Sequence, residues 1–298
     1  MPVQPEAFFL PSQSPAGSQR FCLYYPANTA ATGETCRGLV VYIHPFAEEM
    51  NKSRRMAALQ ARALSNAGFA VLQIDLLGCG DSSGDFADAT WANWVSDVVL
   101  ASQWLRSRND TPGEAPNRAP LWLWGLRAGC LLAVEAANRL TEPCNFLFWQ
   151  APASGKPLLQ QFMRLKLAGD MLGGQGKAVM DGMRQQLANG TPVEIAGYQL
   201  ASGLAHGLEQ ATLAPPAKPG PGLARLEWFE LSTRDDASLS PVSIKTIALW
   251  EQAGYQVRNQ VVAGPAFWQT SEIEEAPELI SATVALLTSS RDISSIPA

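Results

Sequence analysis

Gly125-Leu126-Arg127-Ala128-Gly129 stands between two very different pieces of chain. Before it runs Leu121-Trp122-Leu123-Trp124, an apolar stretch that reads as a buried strand. After it runs Cys130-Leu131-Leu132-Ala133-Val134-Glu135-Ala136-Ala137, which reads as a helix. A strand, a sharp glycine-flanked turn and a helix form the frame that, written Gly-x-Ser-x-Gly, holds a serine nucleophile exposed on a strained turn. The central residue here is Arg127. A guanidinium stays protonated and only donates hydrogen bonds, so it cannot attack a carbonyl. The turn is kept and the reactive group is replaced.

Outward from this turn the chain alternates strand and helix. Short strands are predicted over 8–10 and 21–25, then a buried strand over 39–43 and a helix over 53–67 closed by Gly68. A strand over 70–75, a helix over 91–107 and, beyond the turn, a strand over 145–150 follow. Near-continuous apolar strands in this alternation predict an α/β fold with a parallel sheet covered on both faces. The alternation breaks at Ala151. Helical periodicity runs over 158–172, 178–187 and 195–213, and a Pro- and Gly-rich loop covers 214–222. Strands over 226–231 and 255–262 and helices over 241–253 and 272–287 then resume it. The expected organisation is a core of residues 1–150 and 223–298 with a helical cap inserted at 151–222. The end, from Ser289, is expected to fray.

A chain of 298 residues, 47% of them hydrophobic, can bury a sizeable core, and 16% charged residues is low for a disordered chain. The net charge of −5, without a lysine- or arginine-rich block, argues against a nucleic-acid partner. No apolar stretch approaches the roughly 18–20 residues of a membrane span. The N-terminus lacks the basic and apolar regions of a signal peptide. The five cysteines show neither paired nor metal-binding spacing, so no metal or other cofactor is expected, and a reducing cytoplasm is the expected compartment.

Two further motifs join the central turn: His44-Pro45-Phe46-Ala47 after the strand at 39–43, and Asp75-Leu76-Leu77-Gly78-Cys79-Gly80-Asp81-Ser82-Ser83-Gly84 after the next. Together, and in this order, they resemble the α/β-hydrolase fold across nearly the whole chain. More closely, Pro45-Phe46-Ala47-Glu48-Glu49-Met50-Asn51-Lys52-Ser53-Arg54-Arg55, Gly125-Leu126-Arg127 and Phe267-Trp268-Gln269 are similar to the exosortase A system-associated hydrolase 2 group. Those are bacterial proteins encoded beside an exopolysaccharide and protein-sorting system. The resemblance implies a mostly parallel sheet, an inserted helical cap and a pocket for a small-molecule or acyl ligand; it names no protein partner. It puts Arg127 at the nucleophile position, oxyanion-type backbone donors at Phe46, Ala47 and Ala128, and an acid at Asp235 or Asp236, with Asp236 preferred. The histidine position falls in Ala263-Gly264-Pro265-Ala266-Phe267-Trp268-Gln269, where no side chain titrates near neutral pH.

The chain has only two histidines. His44 matches the histidine of a His-Gly oxyanion loop and is expected to bond structurally; His206 is expected to have a surface or packing role in the cap. Arg127, at a helix start, is either an anion site or half of a structural ion pair. Glu48 and Glu49 are each a partner for Arg127, a carboxylate base or a helix-start acid. Cys79 and Cys130 are expected to be buried and inert, and Ser82 and Ser83 to form turns. Phe46, Phe267 and Trp268 are expected at the pocket mouth, with His44 and Gln269 near it. Two functions fit. One is an ester or thioester hydrolase or acyltransferase in which Glu48 or Asp236 activates water and Arg127 polarises the carbonyl. The other is a binding or scaffold protein that kept the pocket without turnover.

Overall fold

The computed structural model describes residues 4–33, 35–109, 119–169, 176–216, 224–234 and 236–289. It opens with a hairpin, β1 (Glu6–Gln13) and β2 (Ala16–Tyr25), and a short helix, α1 (Thr29–Thr32). Then come β3 (Gly38–Ile43), α2 (Glu48–Asn66), β4 (Phe69–Ile74) and α3 (Trp91–Asn109). β5 (Leu121–Leu126), α4 (Ala128–Ala137) and β6 (Asn145–Trp149) carry the central turn and the strand after it. Between β6 and the next sheet strand lie α5 (Lys156–Gly169), α6 (Gly176–Ala188), a small hairpin of β7 (Val193–Ile195) and β8 (Tyr198–Leu200), and α7 (Ser202–Gln210). The chain continues as β9 (Arg225–Ser232), α8 (Pro241–Gln252), β10 (Gln256–Ala263) and α9 (Pro277–Thr288).

The main sheet has eight strands in the order β1-β2-β4-β3-β5-β6-β9-β10. The β1–β2 and β2–β4 pairs are antiparallel and all others are parallel. β3 and β5 are buried at every residue, which requires cover on both faces. One face carries a core containing Trp94, Leu131, Phe148, Trp228 and Trp250. The other buries Met56, Leu64, Trp124, Trp149, Phe267 and Leu279.

Several ends shift by a few residues, and three differences from the sequence reading have a clear local cause. α2 begins at Glu48 rather than Ser53, because Ala47 takes φ 50° and turns the chain straight into the helix, where two acids suit the positive first turn. The helix expected over 195–213 is a hairpin followed by the shorter α7. Ala196 and Gly197 both have positive φ, 49° and 84°, as a two-residue hairpin turn requires, and the buried Val193 and Ile195 flank the exposed Glu194. α9 begins at Pro277, not Glu272, since proline fits a first helical turn but disfavours helix before it. The ends of the expected 158–172 helix and 214–222 loop, and the tail from 290, lie outside the described residues.

The central turn depends on its two glycines. A Cβ on Gly125 would sit 2.5 Å from the Cys130 amide nitrogen, and one on Gly129 would sit 2.1 Å from the Ile43 carbonyl oxygen. Glycine at both places lets the start of α4 pass the ends of β3 and β5. Gly129→Ala is therefore expected to destabilise the protein by about 3 kcal/mol, because the struck atom is backbone and cannot step aside. Gly182→Ala, on the exposed side of α6 with no atom within 4 Å of the new Cβ, is expected to stabilise it by about 0.5–1 kcal/mol. Urea denaturation of the two variants checks the pair; equal effects would contradict the close-approach account.

Candidate functional site

Arg127 sits at φ 54°, ψ −119°, a conformation that costs a non-glycine residue about 1–3 kcal/mol. Its N–H donates to the Trp149 carbonyl at 3.0 Å, and its carbonyl accepts from the Cys130 N–H at 3.0 Å. Ala47, which opens α2, adopts nearly the same angles, φ 50° and ψ −125°. Two helices thus begin from strained residues, and each start carries the positive end of a helix dipole. Helix starts of this kind favour an anion.

The anion is Glu49, in the first turn of α2. The Arg127 Nη2 donates to Glu49 Oε1 at 3.1 Å, and Nε lies 3.3 Å and 3.4 Å from Oε1 and Oε2. Only 13% of the arginine side chain and 8% of the glutamate side chain are exposed, so the pair is largely removed from water. Nη2 also donates to Gln161 Oε1 of α5 at 2.9 Å, and the guanidinium carbon lies 5.7 Å from the Trp268 ring centre. Burial pushes the Glu49 carboxyl up, and Arg127 and the Gln269 side chain pull it partly back. Arg127 is thus engaged on three sides: a carboxylate, an amide and an indole face.

The other expected residues fall as follows. Glu48 is not the partner of Arg127; it is the half-buried neighbour of Glu49, and its Oε2 is buried without a hydrogen-bond partner among the described residues. Helical geometry explains the split, since adjacent residues on a helix point about 100° apart and only one can face Arg127. Asp236 is not brought to Arg127. It is 82% exposed in the turn after β9 and pairs with Arg234 at 3.4 Å. Asp235 lies outside the described residues. His44 is buried: Nδ1 donates to the Pro45 carbonyl at 2.8 Å and Nε2 accepts from the Leu76 N–H at 3.3 Å. It ties the ends of β3 and β4 together, and burial lowers its pKa so that the ring stays neutral.

Phe46 lies in an aromatic cluster rather than at an open mouth, edge-to-face with Phe86, Trp94 and Phe162 at 5.7, 5.8 and 5.1 Å. Trp268 is buried beside Arg127, while Gln269 is exposed on the site's rim. Ala47 and Ala128, the expected backbone donors, are buried at the starts of the two helices. His206 is exposed on α7. Cys79 and Cys130 are buried, and burial raises both thiols far above the reactive range. The Ser82 and Ser83 hydroxyls accept the Phe21 and Gln19 N–H groups at 2.9 Å, which fastens the turn to β2. Sequence reasoning missed Gln161. The signal was present: it falls three residues after the buried Leu158 and just before the buried Phe162, a polar side chain on an apolar stripe.

No family model matches the chain. Solved structures share its fold. A thermostable carboxyl esterase from Bacillus coagulans has a TM-score of 0.63 at 13% identity, covering 96% of this chain and 98% of its own. A monoglyceride lipase from Saccharomyces cerevisiae has a TM-score of 0.63 at 14% identity, covering 96% of each chain. Est1E from Butyrivibrio proteoclasticus, seen with ferulic acid, has a TM-score of 0.61 at 14% identity over 93% of this chain and 96% of its own. The architecture is therefore the α/β-hydrolase fold. Among curated proteins, human Protein ABHD12B is 31% identical over 117 residues, which is 38% of this chain and 29% of that protein's length. No helix among the described residues is long and apolar enough to cross a membrane.

Two outcomes are expected. Arg127→Gln strands the Glu49 carboxylate in a largely buried place and should cost about 3–5 kcal/mol, read from chemical denaturation. A loss below about 1 kcal/mol, the value of an exposed pair, would mean that water screens the contact. The second outcome concerns Glu48, whose carboxyl burial holds above its ordinary 4.5. The fold takes up this proton at higher pH than the unfolded chain does. Its favourable contribution is therefore present below the unfolded value and lost as pH rises through the folded one. Glu48→Gln should match the parent near pH 4 and exceed it in stability near pH 7, read from urea midpoints at both values; a pH-independent difference would contradict the burial effect.

Proposed function

We propose that this chain is an α/β-hydrolase-fold protein without serine-hydrolase chemistry, acting as a binding or scaffold protein, with residues 151–222 as its cap. The observation that carries this reading is Arg127 itself. It stands where the fold presents a nucleophile, and its fork is filled by Glu49 and Gln161. A filled fork favours a scaffold over a receptor for a free anion at this place. The chain after β10 supplies Phe267, Trp268 and Gln269 where a base belongs, so the triad is degenerate at two positions in this reading. The resemblance of residues 45–55 to the exosortase A system-associated group supports a place beside an exopolysaccharide and protein-sorting system. The acidic, scattered-cysteine composition supports the cytoplasm.

A second reading rests on Glu48. Its unpartnered buried oxygen and raised pKa suit a carboxylate that takes a proton from water. In that reading the chain hydrolyses or transfers an acyl group from an ester or thioester. The names of the similar structures, a carboxyl esterase and a monoglyceride lipase, support that bond class.

One experiment separates the two. The purified protein is expected to resist fluorophosphonate labelling and to leave p-nitrophenyl esters and acyl thioesters unhydrolysed above the buffer rate. Turnover abolished by Glu48→Gln would establish the second reading. Stoichiometric labelling of any serine would overturn both.

A further inference from the structure

A cavity of about 180 Å³ lies between α2 and the β2–β4–β3 part of the sheet, on residues other than those around Arg127. It has room for about six water molecules at roughly 30 Å³ each, far less than a nucleotide or a sugar chain needs. Its walls are apolar at Phe21, Leu23, Met50 and Ala57. Its polar groups are Tyr42, Gln73, Arg54, Asp75 and His44.

Those five differ in what they have to offer. Both His44 nitrogens are engaged by backbone. One Asp75 oxygen, Oδ2, accepts from Arg54 Nη2 at 3.0 Å and from the Asp81 N–H at 3.2 Å. Tyr42 is only 5% exposed, lines the cavity, and its hydroxyl has no hydrogen-bond partner among the described residues. The Gln73 amide nitrogen is buried and also unpartnered among them. Buried polar groups are normally satisfied, so the orphan Gln73 nitrogen, on the same small cavity as the unpartnered Tyr42 hydroxyl, marks a place where something else bonds. Arg54 adds a guanidinium whose side chain is 43% exposed at the cavity's edge.

The free groups are predominantly donors, and the floor is apolar. The Asp75 carboxylate beside Arg54 cancels its unit of positive charge, so an anion here is held by hydrogen bonds and by its apolar tail, and each further negative charge adds repulsion from Asp75. We propose that this cavity binds a short-chain aliphatic monocarboxylate, with its carboxylate on Tyr42, Gln73 and Arg54 and its alkyl tail against Leu23, Met50 and Ala57. Burial supports the donor role by keeping the Tyr42 phenol protonated. A dianion such as phosphate meets Asp75 and has nothing to place on the apolar wall.

The test is calorimetric titration of the full chain with acetate, butyrate and inorganic phosphate, with methyl-labelled Met50 as a reporter. Butyrate should bind, more tightly than acetate, and shift the Met50 signal, while phosphate should not. Tyr42→Phe removes an unpartnered hydroxyl, so its unliganded melting temperature should stay near the parent's while butyrate affinity falls about tenfold. Arg54→Gln should lose binding too, but it also strips Asp75 of its partner, so Tyr42→Phe is the deciding variant. Absence of butyrate binding would overturn the proposal, as would equal binding of phosphate and butyrate or full affinity in Tyr42→Phe. The serine-probe and ester assays read other residues, so either conclusion can fail without the other.

Discussion

Burying a guanidinium costs several kcal/mol unless a carboxylate is buried with it, and this fold buries Arg127 at the point where α4 leaves β5. Much of the surrounding arrangement follows from that requirement. Glu49 must stand in the first turn of α2, so α2 must begin immediately after the His44–Ala47 loop. Ala47 makes that possible by taking the same strained angles as Arg127. Gln161 brings α5 onto the guanidinium, and Trp268 closes it from the segment after β10. Four separate stretches of chain therefore meet at one side chain. Two helix starts that would otherwise share an attraction for a free anion are served by a resident one.

This arrangement has a chemical consequence. In an elbow with serine, the strained turn presents a small nucleophile to a pocket and leaves the helix start open for a transient oxyanion. Here the strained turn presents a permanent cation, and a permanent carboxylate answers it. Phe46 packs edge-to-face against Phe86 and Phe162 beside it. The likeness to the carboxyl esterase and the monoglyceride lipase is one of fold, and fold does not fix chemistry.

The strands and the turn were legible because their signals are local. Runs such as Leu39-Val40-Val41-Tyr42-Ile43, short, rich in β-branched residues and flanked by Gly38 and Pro45, favour buried strands, and Gly125 and Gly129 stand where any Cβ would strike backbone. The β7–β8 hairpin was not legible as such, because an apolar run of this length fits a helix period as well as a strand pair, and the Ala196-Gly197 turn signal is weak. At the site, Arg127, Trp268 and the pair of acids were visible, but which acid faces Arg127 was not. That choice depends on the helix starting at Glu48, set by a positive φ at an alanine, which sequence does not announce. Gln161 was hidden for a different reason: its contact spans 34 residues and depends on how α5 lies across the core. Asp236 was placed by analogy with an acid that orients a histidine, and with no histidine there it lies in water with Arg234.

The central claim is that Arg127 and Glu49 are energetically one unit. A double-mutant cycle with Arg127→Met, Glu49→Leu and the combined variant, followed by urea denaturation, tests it most directly. The expected result is strong coupling: each single change costs about 3–5 kcal/mol, while the double variant, with neither charge left buried, returns to within about 1–2 kcal/mol of the parent. Additive losses, with the double variant no better than the sum of the two, would contradict it.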